Sequence, residues 1–170
     1  MIINKTRMKY TGIGLLVVLI AIQFFHPDKN LSGELSNDIS KKFVMPDSVQ
    51  QILKTSCYDC HSNHSDYPWY AKIEPVDWWL TNHINKGKRG LNFNEFSTYR
   101  IAKQYKRFQD ISEMVNKHDM PLPSYLIIHR YAILSEPQID EVKQWCAVMR
   151  DTIKANYPAD SLVLPKKPGK

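Results

Sequence analysis

The stretch Cys57-Tyr58-Asp59-Cys60-His61 determines how the rest of the chain can be interpreted. Two thiols separated by two residues lie on one helical turn, so each can add to one of the two vinyl groups of a single haem. The imidazole that follows the second thiol then lies under the iron as an axial ligand. The pattern indicates covalent c-type haem, with Cys57 and Cys60 as attachment residues and His61 as the proximal ligand.

Two other kinds of site use part of the same stretch. A zinc module would combine Cys57, Cys60, His61 and His64, but all four lie close together and the usual second pair some dozen residues away is missing. A thioredoxin-like thiol switch would need a surrounding βαβ pattern, which the sequence lacks. The third cysteine, Cys146, lies on the apolar face of a predicted helix and is expected to be a buried small side chain.

Length and charge limit the possible partners. The chain has 170 residues, which is enough for one modest domain, and its formal net charge is +6 with a pI near 9.2. Its lysines and arginines are spread out and no nucleic-acid-binding motif accompanies them, so we expect no nucleic-acid partner. A basic surface suits an acidic redox partner protein.

The N-terminus has the pattern of an export signal. Lys5, Arg7 and Lys9 precede an uncharged, mostly apolar stretch over residues 10–25, and no small-x-small cleavage site follows it. We therefore expect a cytoplasmic n-region over residues 1–9 and an uncleaved transmembrane helix over 10–25. Positive charge before the span predicts a single-pass inner-membrane protein with its C-terminal part in the periplasm.

Beyond this segment the sequence predicts one all-α domain. Residues 26–43 are polar and are expected to form a tether, residues 44–157 the domain, and residues 158–170 a flexible tail. Four helices are expected from apolar spacing and end signals. They start at Asp47 as N-cap, at Pro75 with an end near Gly87, at Ser97 with an end near Lys117, and at a capping box formed by Ser135 and Gln138.

Met120 is the best candidate for the second axial ligand, because the following Pro121 and Pro123 would stiffen the loop that carries its sulfur. Ordinary core packing of Met120 is the alternative. The competing ligands are His64, His83, His118 and His129. Four aromatic side chains are expected in the core or in the walls of a haem pocket, namely Trp69, Tyr70, Trp78 and Trp79.

The order of these features resembles that of a small class I-type cytochrome c. More closely, Ser56–Asn63 together with Tyr67-Pro68-Trp69-Tyr70 resembles the bacterial haem-binding domain family of exported monohaem proteins. The stretches Pro75–Trp79, Leu91-Asn92-Phe93 and Met120–Tyr125 continue the resemblance, which covers roughly residues 44–149. It implies a cytochrome c-like fold around one covalent haem, with His61 proximal and Met120 distal. His118-Asp119 departs from the Gly-Glu type of turn expected before Met120.

Two functions remain open at this point. The first is a membrane-anchored electron carrier, in which six-coordinate iron exchanges single electrons with little rearrangement. The second is a haem-dependent peroxidase or haem-based sensor with an open or displaceable distal side, where His118 or His129 would act as acid-base group and Arg130 would stabilise charge.

Overall fold

The computed structural model describes residues 5–165, and within them the chain is helical. The helices are α1 (Lys5–Ile22), α2 (Asp47–Ser56), α3 (Tyr58–His61), α4 (Val76–Gly90), α5 (Ile101–Asn116), α6 (Pro123–Leu126) and α7 (Glu136–Asn156). Short 3₁₀ turns connect several of them, and the extended backbone of residues 5–165 forms only an isolated bridge between Leu31 and His64. The prediction of an all-α domain is confirmed.

The N-terminal helix differs from the one expected over residues 10–25. α1 includes Arg7 and Lys9 and ends at Ile22, three residues before Phe25, so charged residues occupy part of its length. Across the described part of the chain, no helix has both the length and the apolar character needed to cross a membrane. The predicted transmembrane helix is therefore not supported. Residues 1–4 of the predicted n-region lie outside the described residues.

α5 and α7 pack against each other and form the centre of the core. Both have an apolar stripe at helical spacing, so their buried faces meet. Phe108 of α5 lies at the middle, with its ring centroid 5.3 Å from that of Trp145 on α7 and 5.0 Å from that of Phe43. α2 adds a third face through Val49, Ile52 and Leu53, all of which are buried as its spacing predicts.

The helix ends show how local signals compare with the structure. Ser135 and Gln138 form the predicted capping box at the start of α7. Three other ends are shifted. Asp47 is the first residue of α2 rather than its cap, α4 continues past Gly87 to Gly90, and α5 begins at Ile101, because residues Phe93–Thr98 form a 3₁₀ segment.

Residues 26–43 were expected to form a tether, and the structure differs. Asn30 donates from its side chain to the Ser62 carbonyl and the Ser65 hydroxyl, while its carbonyl accepts from the Ser65 amide. Further along, Ile39 is fully buried. Residues 31–36 are exposed, but the side chains of Asn30 and Asp38 hydrogen-bond groups of the domain. The segment is a structural part of the domain.

The described part of the predicted flexible tail also packs on the domain. Residues Ala159–Leu162 form a 3₁₀ turn, and Leu162 is partly buried against the core. Residues 166–170 lie outside the described residues.

Gly87 allows α4 to cross directly over the Cys57–His61 turn. A Cβ at this position would lie 2.6 Å from the carbonyl oxygen of Cys60, closer than real Cβ contacts come. The obstacle is backbone, which cannot rotate away as the end of a side chain can. Glycine at residue 87 is therefore needed for the close approach of α4 to the turn.

Gly87→Ala is expected to lower the free energy of unfolding by about 1–2 kcal/mol, because the contact with Cys60 forces the helix and the turn apart. Gly90→Ala is the matched control on the same helix, since nothing lies within 4 Å of its Cβ position. The control should be neutral or stabilising by up to about 1 kcal/mol. Urea denaturation followed by circular dichroism measures both, and equal effects would contradict the close-approach explanation.

Candidate haem-binding site

The two thiols lie on one turn that joins α2 to α3. The amides of Cys60 and His61 both donate to the carbonyl of Cys57, at 3.2 and 3.0 Å, and the Cys57 amide donates to Leu53 at the end of α2. The apolar stripe of α2 is buried, so the turn has a fixed position on the core. Cys57 and Cys60 are free thiols, as covalent attachment requires.

Burial changes the acidity of these thiols. It raises the pKa of Cys57 to about 12 and that of Cys60 to about 11, because an apolar environment disfavours the thiolate. The neighbouring Cys60 contributes to the increase at Cys57, and Asp59 to the increase at Cys60. Both groups are neutral thiols at physiological pH, unlike the low-pKa cysteines of dithiol switches.

His61 is held in one orientation by a backbone carbonyl. Its Nδ1 lies 2.9 Å from the carbonyl oxygen of Leu91. A carbonyl oxygen can only accept, so Nδ1 carries the proton and the lone pair is on Nε2. Burial lowers the pKa of His61, which favours the neutral ring. A neutral imidazole with a free Nε2 and an anchored Nδ1–H is the form in which histidine binds a metal.

The Leu91 carbonyl is itself positioned by a buried amide network. The backbone N–H of Asn63 donates to Asn94 Oδ1 at 2.7 Å, and the side-chain Nδ2 of Asn92 donates to Asn63 Oδ1 at 2.7 Å. Asn94 Nδ2 donates to Asp38 at 2.7 Å. All four side chains are at most 8% exposed, so water does not compete for these bonds. The network joins Asn63, which follows His61, to Asn92 and Asn94, which follow Leu91. It therefore holds the Leu91 carbonyl in position next to the His61 ring.

A small cavity lies on the Cys60 side of the turn. Its lining includes Cys60, Tyr70, Leu80, Ile84, Tyr125 and His129. The Tyr125 hydroxyl donates to Asp59 at 2.7 Å, and the Tyr125 ring stacks on His129 with centroids 4.2 Å apart. The segment that follows Met120 therefore reaches the thiol-bearing turn itself.

The four predicted pocket aromatics are placed differently from one another. Tyr70 lines this cavity and hydrogen-bonds His129 Nε2 at 2.8 Å. Trp69 is 75% exposed. Trp79 is 47% exposed and contacts the His83 ring at an interplanar angle of 45°, and Trp78 donates its indole N–H to the Phe25 carbonyl. The three tryptophans are therefore not core residues, and a role for them in the wall of a haem pocket stays a prediction.

Met120 lies just past the end of α5 and is half-buried. The amide groups of His118 and Asp119 donate to Val115 and Met114, which closes the helix with a Schellman motif. His118 occupies the left-handed position of this motif, with φ 55°. The expected turn therefore forms with histidine in place of glycine, at some cost in backbone strain. Met120 follows this turn and lies outside the helix.

The competing histidines have other partners. His129 hydrogen-bonds Tyr70 through Nε2 and Tyr131 through Nδ1. His83 Nδ1 lies 2.8 Å from the Trp79 carbonyl. His64 and His118 are exposed and lie near Asp66 and Glu136. Within residues 5–165, His61 is the histidine that lies on the thiol-bearing turn itself, with its Nδ1 anchored and with burial favouring its neutral ring.

Some site residues carry no signal that the sequence analysis used. The Leu91 carbonyl is a backbone group, so no side-chain pattern identifies it. Asn63 and Asn92 belong to the stretches that carry the resemblance and Asn94 does not, although three asparagines beside a metal-binding pattern are a usable hint of a buried amide network. Tyr125 and His129 act through contacts that are distant in sequence.

His118→Gly is expected to raise the free energy of unfolding by about 0.5–1 kcal/mol, because glycine adopts a positive φ without a Cβ penalty. Lys117→Gly is the control at the preceding residue, where φ is −87° and glycine should instead destabilise by up to about 1 kcal/mol. Thermal and urea unfolding test the pair. A destabilised His118→Gly would show that the imidazole itself supports the turn.

The chemistry of the donor set fits haem: two thiols on one rigid turn, followed by a neutral imidazole with its Nε2 free. Comparison with curated proteins and with solved structures found no match. A family model described as "Haem-binding domain" matches residues 17–148, well over half of the chain. The chain belongs to this haem-binding domain family.

Proposed function

We propose that this haem protein is a c-type cytochrome that carries single electrons. Cys57 and Cys60 would hold one haem through thioether bonds, and His61 Nε2 would bind the iron. The observation that carries this proposal is the hydrogen bond from His61 Nδ1–H to the Leu91 carbonyl, which fixes the ring and its tautomer before any ligand is bound. The bound group would supply reversible one-electron chemistry.

The residues around the turn would keep reorganisation small. The buried asparagine network and the contact of Gly87 with Cys60 hold His61 and both thiols on a rigid frame. If these residues move little between the two oxidation states, electron transfer requires little structural reorganisation of the site. Met120 would be the distal ligand, because its sulfur is a soft neutral donor that favours the ferrous state and the Schellman turn carries it out of α5.

The net charge supports an acidic redox partner. With a formal charge of +6, the surface would attract a negatively charged partner protein and accelerate encounter at low ionic strength. No nucleic-acid partner is proposed, because the basic residues form no nucleic-acid-binding motif.

We also propose that the domain lies in the periplasm, held to the inner membrane by its N-terminal segment. The apolar side chains over residues 15–20 are 50–61% exposed, and such a continuous apolar surface favours lipid over water. Arg7 and Lys9 precede it, which favours a cytoplasmic N-terminus. Covalent haem attachment on the outer side of the membrane is consistent with this location.

A second candidate function is peroxide turnover or ligand sensing at an open distal side. His129 and Tyr70 line the cavity beside Cys60 and are hydrogen-bonded to each other, which is a possible proton path. Both His129 nitrogens are engaged by tyrosine hydroxyls, so an acid-base role would require one of these bonds to break. This favours the electron carrier.

The ligand proposal is tested by comparing Met120→Ala with Met114→Ala in protein expressed with c-haem maturation. We expect haem that resists acid-acetone extraction in all three proteins, and a far-red sulfur-to-iron band in wild type and Met114→Ala only. Met114 is the matched control, since it is also half-buried and lies six residues earlier, in the last turn of α5. Met120→Ala should also bind carbon monoxide rapidly.

Retention of the far-red band in Met120→Ala would contradict the distal assignment. Rapid carbon monoxide binding and peroxide turnover by the wild type would favour the second candidate. Extractable haem in the wild type would contradict covalent attachment.

The location is tested by fractionating cells that express the full chain. We expect it in the membrane fraction after a carbonate wash, and we expect protease added to spheroplasts to digest the haem domain. Replacement of Leu16 and Leu19 by lysine should release the chain from membranes, because charges in the apolar segment disfavour lipid contact. A soluble wild-type chain, or one protected from protease, would contradict the proposed location.

A further inference from the structure

Two buried carboxylates and a histidine meet where the N-terminal segment reaches α4, away from the thiol-bearing turn. Glu74 is 2% exposed, Asp77 is fully buried, and His26 stands over them from the preceding segment. The donor atoms His26 Nδ1, one oxygen of Glu74 and one oxygen of Asp77 all lie within 4.8 Å of one another. The proposed haem chemistry uses none of these residues.

Each carboxylate has one oxygen that is already fixed and one that faces His26. Glu74 Oε2 accepts from the Trp78 amide at 3.1 Å, and Asp77 Oδ1 accepts from Lys29 and from the Thr81 hydroxyl. Glu74 Oε1 lies 3.2 Å from His26 Nδ1, and Asp77 Oδ2 lies 3.8 Å from the same atom. Partners that fix one carboxylate oxygen orient the other, as around metal ligands.

Asp77 Oδ2 is the observation that points to a ligand. It is buried and has no hydrogen-bond partner, an arrangement that is unfavourable for a carboxylate oxygen. A proton on His26 Nδ1 would be donated to Glu74 Oε1, and at 3.8 Å it would leave Asp77 Oδ2 without a bond. A cation located between the three atoms would bind all of them at once.

The charges favour a cation at this point. Glu74 and Asp77 carry two negative charges, and Lys29 is the cation that contacts them, through Asp77 Oδ1. The two carboxylates outnumber Lys29, which leaves an excess negative charge. A divalent cation would more than balance it.

The distances fit zinc. Ligand bonds of about 2.0–2.2 Å in a tetrahedron separate neighbouring donors by roughly 3.3–3.6 Å. The two separations from His26 Nδ1, 3.2 and 3.8 Å, bracket this range, and the two carboxylate oxygens lie within 4.8 Å of each other. One nitrogen and two carboxylate oxygens are ligands that zinc accepts. The His26 side chain is 48% exposed, so the fourth position can be reached by water.

We propose that His26 Nδ1, Glu74 Oε1 and Asp77 Oδ2 bind one Zn²⁺, with water as the fourth ligand. Two of these ligands lie at the start of α4 and one on the segment that follows α1, so the ion joins the two parts of the chain. The ion would act together with the two hydrogen bonds that join the Gln23 side chain to the Glu74 backbone. This inference does not rest on the proposed function.

The test uses the full chain loaded with haem and treated with a chelator, so that Cys57 and Cys60 are not available to zinc. Titration with Zn²⁺ in a calorimeter is expected to show one site per chain, with an accompanying rise in Tm. His26→Gln should weaken binding at least tenfold, since a direct ligand is lost. It should still fold, because the side chain is half-exposed and its polar partners among residues 5–165 are the two carboxylates.

His64→Gln is the matched control, since His64 is another exposed histidine beside an aspartate, with 3.6 Å between His64 Nε2 and Asp66. It should bind zinc as the wild type does. The double variant Cys57→Ser, Cys60→Ser should also bind one Zn²⁺, even if the wild type were to take up no haem. An absence of stoichiometric binding, an unchanged affinity in His26→Gln, or a loss of the site in the cysteine variant would each overturn the proposal.

Discussion

The hydrogen bond between His61 and the Leu91 carbonyl sets the geometry on which the site depends. It joins residues 30 positions apart, and it decides both the direction of the imidazole and the nitrogen that carries the proton. α4 must end at Gly90 so that Leu91 can turn into extended backbone and present its carbonyl. The end of one helix thus positions the key side chain of another.

The surroundings of that bond are polar, which is unusual for the inside of so small a domain. Asn63, Asn92 and Asn94 form hydrogen bonds with one another and with Asp38, while Phe96 and Phe108 pack in the aromatic core with ring centroids 5.1 Å apart. Apolar packing would tolerate small shifts, but a satisfied amide network has few alternative arrangements. The domain therefore combines a core that supplies stability with a network that supplies position.

Features with a local cause were predictable from the sequence. The thiol spacing, the capping box of α7 and the apolar stripe of α2 each depend on residues within a few positions of one another. Features that depend on distant pairs were not. The polar segment after α1 was expected to be solvated, yet Asn30 binds groups that lie more than 30 residues away. Polarity indicates a need for partners and does not say whether water or protein provides them.

The tryptophans and the turn before Met120 both show that the preference of a residue type does not by itself predict its place in the structure. Trp69, Trp78 and Trp79 are large and apolar, yet all three are exposed, and the indole N–H of Trp78 bonds the Phe25 carbonyl. His118 is an unfavoured residue for a left-handed turn, and the hydrogen bonds of the Schellman motif impose that turn on it nevertheless. In both cases tertiary contacts override the preference of the residue.

The docking of the segment after α1 has a mechanical consequence. Trp78 binds the Phe25 carbonyl, Gln23 pairs with Glu74, and Asn30 joins the residues beside the thiol-bearing turn. A loose linker would let the domain sample many orientations about its attachment point. Here the segment after α1 is fixed to the domain by these hydrogen bonds. A surface that binds α1 therefore also sets the orientation of the domain, and a partner would approach the side that faces away from that surface.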